Sequence, residues 1–111
     1  MEKVNSLNFA NYDLVTLSWG TNDYTGNAPL GSLQTSTPND DTIVGNMMYC
    51  LTKIRSDNES IKIIVLGPIN RASKGGTPIG DITSNWSLGT QNSQGYTLQD
   101  LINTMKSVCD Y

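Results

Sequence analysis

Two short runs of β-favouring residues, each stopped at a glycine, constrain this chain more than any other feature. The first, residues 12–19 (YDLVTLSW), carries Leu14, Val15, Leu17 and Trp19 and ends at Gly20. The second, residues 61–66 (IKIIVL), ends at Gly67-Pro68. Near-continuous apolar runs of this length read as strands buried on both faces. Between them, residues 42–55 repeat apolar side chains at Ile43, Met47, Cys50, Leu51 and Ile54. Offsets of three and four place these on one face of a helix, and Asp40 and Asp41 stand where an N-cap or first-turn acid is favoured. After the second strand, residues 97–109 form the best-marked helix. Thr97 fits the N-cap, Asp100 the capping-box position, and Tyr96 can staple onto Leu101. Its buried stripe is Leu98, Leu101, Ile102, Met105, Val108 and Cys109. Residues 2–10 fit the tail of a further helix.

The order strand, helix, strand, helix predicts an α/β fold, with parallel strands joined by right-handed crossovers. With 111 residues there is room for one small domain. Two connections are long: residues 20–41 and residues 67–95. Loops beyond about 12–15 residues are uncommon and often functional. Parallel strands bring both to one sheet edge, and ligands of open α/β sheets bind outside the carboxyl ends of the strands. Gly20 to Tyr24 and Asn70-Arg71 are therefore expected near the centre of that edge.

Composition removes several function classes. The net charge is −3 and no run of Lys or Arg occurs, which argues against a surface that tracks nucleic-acid phosphates. The longest apolar run, Ile63 to Leu66, is far short of the roughly 20 residues a membrane helix needs. Met1-Glu2-Lys3 is followed by polar residues rather than the apolar block of a secretion signal. The two cysteines, Cys50 and Cys109, sit in helical apolar patterns and read as buried thiols, small hydrophobes in effect. No Cys-x-x-Cys spacing and no histidine is present, so neither a metal site nor a cofactor is expected. The missing histidine matters most, because a serine hydrolase normally uses an imidazole to take the nucleophile's proton.

Gly20-Thr21-Asn22-Asp23 falls where the first strand ends. Glycine permits a sharp turn and a close approach of backbone to a ligand. An Asn amide there can donate a hydrogen bond into a pocket, as oxyanion-hole donors do. Asn and Asp also favour plain turns, and the four residues alone leave both readings open. Lys74-Gly75-Gly76 lacks the phosphate-loop pattern and reads as a glycine-rich surface loop. Asn58-Glu59-Ser60 and Asn85-Trp86-Ser87 match glycosylation sequons, which chance supplies readily among 12 Asn residues. Trp19, Tyr24 and Trp86 have rings that can stack on a sugar; Trp19 belongs more naturally to the core, and Trp86 lies in the long polar loop.

The run YDLVTLSWGTND resembles the third conserved block of SGNH (GDSL-like) hydrolases, an apolar strand followed by Gly-x-Asn-Asp. The neighbouring YTGNAPLG is similar to a loop of one bacterial branch, IKIIVLGPINR to the next strand and its exit, and NSQGYTLQDLINTMKSVCDY to the helix that follows. The resemblance covers nearly the whole chain. It implies a three-layer, flavodoxin-like parallel sheet and a serine esterase or acylhydrolase acting on acyl or acetyl esters, carbohydrate esters among them. Asn22 would be the oxyanion-hole side chain, Gly20 the turn that presents it, and Asp23 a buttress of the loop. Thr21 fills the variable place, and Tyr24 and Asn70 would border the substrate.

The departures are as informative. The family's Gly-Asp-Ser nucleophile block is absent; Gly80-Asp81-Ile82 has isoleucine where serine is needed, at the wrong position. The glycine block and the Asp-x-x-His block are absent too. The expectation is a partial domain over residues 1–111, the oxyanion-bearing middle of an esterase and inactive alone, with bare strand edges that favour self-association. The other reading is a non-catalytic α/β binding or structural module. Localisation leans only weakly to a secreted or surface bacterial protein.

Overall fold

The computed structural model describes residues 2–68 and 91–111. The chain opens with α1 (Glu2–Ser6) and a 3-10 turn (Phe9–Asn11), then runs β1 (Leu14–Ser18), α2 (Thr21–Thr25), α3 (Ile43–Asp57), β2 (Lys62–Leu66) and α4 (Leu98–Asp110). The strands pair in parallel, Leu14 opposite Lys62 through Ser18 opposite Leu66. This is an α/β architecture with a parallel sheet, as the strand–helix order predicts.

The helix ends show how the local sequence sets the boundaries. At α4, the Thr97 hydroxyl accepts from the Asp100 amide at 3.0 Å while the Asp100 carboxylate accepts from the Thr97 amide at 2.8 Å, a complete capping box. At α3 the expected acidic cap is displaced. Thr42 is the N-cap and accepts from the Gly45 amide at 2.9 Å. Asp40 stands behind it, its carboxylate accepting from the Thr42 hydroxyl at 2.6 Å and the Thr37 amide at 2.8 Å. Gly45 is required there, because a Cβ would lie 2.0 Å from Asp40 Oδ1.

The main core joins Ile43, Val44 and Met47 of α3 to Leu98, Leu101, Met105 and Val108 of α4, with Tyr24 and Tyr96. A smaller cluster of Phe9, Ile54 and Ile61 takes Val15, Leu17 and Ile63 from the sheet. Both clusters lie on one sheet face. The expectation of strands buried on both faces is corrected: burial alternates along each, and Leu14, Ile64 and Leu66 are 49%, 47% and 52% exposed. The reason is topological. Helices α3 and α4 cover one face, and Leu14, Ile64 and Leu66 on the other stay about half exposed, so the described part supplies two of the three expected layers. Cys50 is buried as expected, but Cys109, in α4's last turn, is exposed. The burial stripe of α4 passes through Val108 and leaves Cys109 outside it.

Candidate functional site

The last rung of the sheet is the Trp19 amide donating to the Leu66 carbonyl at 3.0 Å. Gly20 follows at once, with φ 93° and ψ −24°. L-residues with a side chain pay a steric penalty in this left-handed region. Space is short as well: a Cβ on Gly20 would meet Leu101 Cδ2 at 3.0 Å and both Met105 Sδ and Pro68 Cδ at 3.3 Å. Gly20 is thus the point where the exit of β1, the exit of β2 and the inner side of α4 converge. This juxtaposition is what the parallel topology demands of the two loops.

The turn is helical rather than a simple strand-end bend. Gly20 caps α2, its carbonyl accepting from the Tyr24 amide at 2.9 Å. Within that single turn Tyr24 points inward and is 4% exposed, while Asn22 is exposed and Thr21 and Asp23 are half-buried. Among the described residues no hydrogen bond holds the Asn22 side-chain amide, so its N–H groups remain available at the carboxyl edge of the sheet. Its backbone carbonyl is engaged by the Gly26 amide at 2.7 Å and the Thr25 hydroxyl at 3.1 Å.

The loop is buttressed by hydrogen bonds from several residues. Asp23 contributes through its backbone, its carbonyl accepting from the Ala28 amide at 2.9 Å. Further ties come from residues 92–96. Asn92 Nδ2 donates to the Tyr24 carbonyl at 3.1 Å, the Ser93 amide to Asn27 Oδ1 at 2.9 Å, and the Tyr96 hydroxyl to the Ala28 carbonyl at 2.8 Å. The rings of Tyr24 and Tyr96 meet edge to face, centroids 5.9 Å apart. Burial raises the pKa of both phenols above the ordinary tyrosine value; at Tyr96 the bond with Asn92 opposes this and the charge of Asp23 adds to it. Both rings therefore stay neutral and serve as packed, hydrogen-bonding posts.

Sequence reasoning missed this clamp. Tyr96 reads as a helix staple, and Asn92 as one more Asn in a polar loop. The usable signal is Asn92-Ser93-Gln94-Gly95, a turn tetrad in which Gly95 has φ 82° and its amide donates to the Asn92 carbonyl at 2.9 Å. Trp19 packs against the main core, as expected, yet its indole Nε1 is enclosed and is the one buried side-chain polar atom among the described residues without a partner. Asn70, Arg71 and Trp86 lie outside the described residues. Among those described, no cluster of His, Cys, Asp and Glu could hold a metal ion, and no helix is long and apolar enough to cross a membrane.

A cleft of about 930 Å³ lies elsewhere. Its walls come from one side of α3, from the end of α4 and from Ile63 and Val65 of β2, including Met48, Leu51, Arg55 and Val108. Asn22, at the carboxyl ends of the strands, is not part of it.

No protein-family model matches the chain, and no curated protein matches it. Solved structures do. One crystal structure superposes over 98% of this chain with a TM-score of 0.74 at 22% identity, which shows the fold. Another, described as a possible lipase from Chitinophaga pinensis DSM 2588, matches 89% of this chain with a TM-score of 0.68 at 27% identity. The chain spans less than half of each, 46% and 38% respectively. Its fold is lipase-like to that extent.

Proposed function

We propose that this chain carries the oxyanion-stabilising turn of a serine ester hydrolase of the SGNH type, with Asn22 as the donor. The observation that supports the reading is the Asn22 amide, exposed and unengaged among the described residues, on a turn that is otherwise tied down on every side. Gly20 holds it at the carboxyl edge of a parallel sheet, where α/β proteins place their ligands. The lipase-like neighbour adds to the same reading.

In the reaction, a serine oxygen attacks the ester carbonyl and the carbonyl oxygen takes on negative charge. A donor fixed in advance stabilises that charge without reorganising. The clamp from Asn92, Ser93 and Tyr96 provides the fixing, and Gly20 allows a hydrogen-bonding group to come close to the reacting carbonyl. Thr21, Asp23 and Tyr24 shape the turn; Asn70, four residues after β2 in sequence, is assigned to the substrate side by the resemblance alone. The imidazole base must come from outside these 111 residues, which contain no histidine, and the missing Gly-Asp-Ser block assigns the serine nucleophile to the same outside part. An acyl or acetyl ester, on carbohydrate or otherwise, is the substrate class.

In a polypeptide that carries this segment together with such a serine and histidine, Asn22→Ala is expected to lower kcat toward p-nitrophenyl acetate by about 10²–10³, with KM little changed. An unchanged kcat removes Asn22 from the mechanism. The 111-residue chain by itself is expected to give no turnover above background.

A further inference from the structure

The turn that carries Asn22 is too short to hold its own shape. Helix α2 has five residues, and isolated helices below about 12–15 residues are marginal in water. Its conformation must be imposed by neighbours, and it is imposed at both ends. At the start, Gly20 sits against Leu101 and Met105 of α4 and against Pro68. Past Asn22, the ties from Asn92, Ser93 and Tyr96 come in. Of these three, that of Asn92 alone ends on α2 itself, its Nδ2 donating to the Tyr24 carbonyl at 3.1 Å. Ser93 reaches Asn27 and Tyr96 reaches Ala28, both beyond the last residue of the helix.

Asn92 is built as a fixed post. Its Oδ1 accepts from the Gln94 amide at 3.0 Å. Its backbone amide donates to the Tyr96 carbonyl at 3.0 Å, and its carbonyl accepts from the Gly95 amide at 2.9 Å. One end of the side chain thus shapes the turn at residues 92–96, and the other end holds α2. A side-chain amide can do both at once. An aspartate keeps the acceptor but sets a second acceptor against the Tyr24 carbonyl, and an alanine keeps neither group. The capping box of Thr97 and Asp100 joins this turn to α4, the same helix that packs on Gly20. Both ends of the Asn22 turn are therefore referenced to one body.

We infer that Asn92 is a positioning residue for Asn22: its amide, acting through the Tyr24 carbonyl, sets where the Asn22 N–H groups point. The inference rests on the reading of Asn22 as the oxyanion donor. Such a donor works by being in place before the charge develops, and a misplacement of about 1 Å can cost on the order of 10²-fold in rate. Because Asn92 acts through Asn22, its loss falls on kcat rather than KM. It also has nothing left to position once the Asn22 amide is gone.

A double-mutant cycle tests this in the polypeptide that carries the segment together with its serine and histidine, with p-nitrophenyl acetate as substrate. Asn92→Asp is expected to lower kcat by about 10–10²-fold, with KM little changed. The double variant Asn22→Ala/Asn92→Asp is expected to be no slower than Asn22→Ala alone. Losses that multiply would mean that Asn92 acts independently of Asn22, and they overturn the proposal. So does an unchanged kcat in Asn92→Asp when Asn22→Ala is impaired, a result that leaves the oxyanion reading standing. An unimpaired Asn22→Ala removes that reading and this one with it. Should far-UV circular dichroism show Asn92→Asp misfolded, Asn92→Ala carries the same cycle with the same outcomes. Tyr96→Phe keeps the ring against Tyr24 and loses the bond to Ala28. It is expected to lower kcat less than Asn92→Asp does; a larger loss moves the positioning role to Tyr96 and overturns the assignment to Asn92.

Discussion

Gly20 concentrates more constraint than any other residue. Its left-handed backbone and its three close neighbours act together, so Gly20→Ala is penalised twice: by roughly 1–2 kcal/mol for the backbone and by about 1 kcal/mol or more for crowding Leu101, Met105 and Pro68. A lower urea midpoint with an unchanged m-value is the expected result; an unshifted midpoint would mean the turn relaxes freely. That a glycine must stand here was legible from its place at the end of a strand. The identity of its neighbours was not, because Leu101 and Met105 are some eighty residues away in sequence and only the crossover topology brings them back. Asp23 is a different case. Family likeness made it a buttress of the loop without saying by which group, and the bond seen in the fold uses its carbonyl, a group every residue carries.

At the scale of elements, α4 was the most legible because its signals agree: cap, capping box and apolar stripe all begin at the same residues. Thr97→Ala removes the cap and is expected to cost about 1 kcal/mol in urea or thermal unfolding. The start of α3 was harder. Asp40, Asp41 and Thr42 are all acceptable caps, and the choice fell on Thr42 because Asp40 instead binds the Thr42 hydroxyl and closes the loop onto the Thr37 amide. The single turn α2 left no periodic trace in five residues. The double-sided burial expected of both strands failed because a short apolar run carries no record of how many faces will be covered.

At the scale of the whole molecule, three carboxylates among the described residues are held in the ionised form by hydrogen bonds: Asp40 chiefly by the Thr42 hydroxyl, Asp57 by Lys53 and then the Phe9 amide, and Asp100 by the Thr97 amide and hydroxyl. Each has a folded pKa below its unfolded one. Their contribution is therefore present above the unfolded aspartate value of about 3.9 and is lost as pH falls through the lower folded values. Urea midpoints should drop between about pH 6 and about pH 3, and Asp100→Asn should narrow that difference; an equal drop in the variant would exclude Asp100 as a contributor. The architecture itself was readable from element order. The clamp on the candidate site was not, since it depends on which surface of residues 92–96 meets α2.

That clamp has a consequence for how the protein is made. Its bonds from Asn92 to Tyr24 and from Tyr96 to Ala28 each link residues 68 apart. At a synthesis rate of about 5–20 residues per second, residues 20–28 leave the ribosome roughly 3–14 s before the groups that fix them. For that interval Asn22 belongs to an unbraced peptide. The site takes shape only when the turn at residues 92–96 arrives, so a nascent chain cannot hold it early, whatever the rest of the sheet has done.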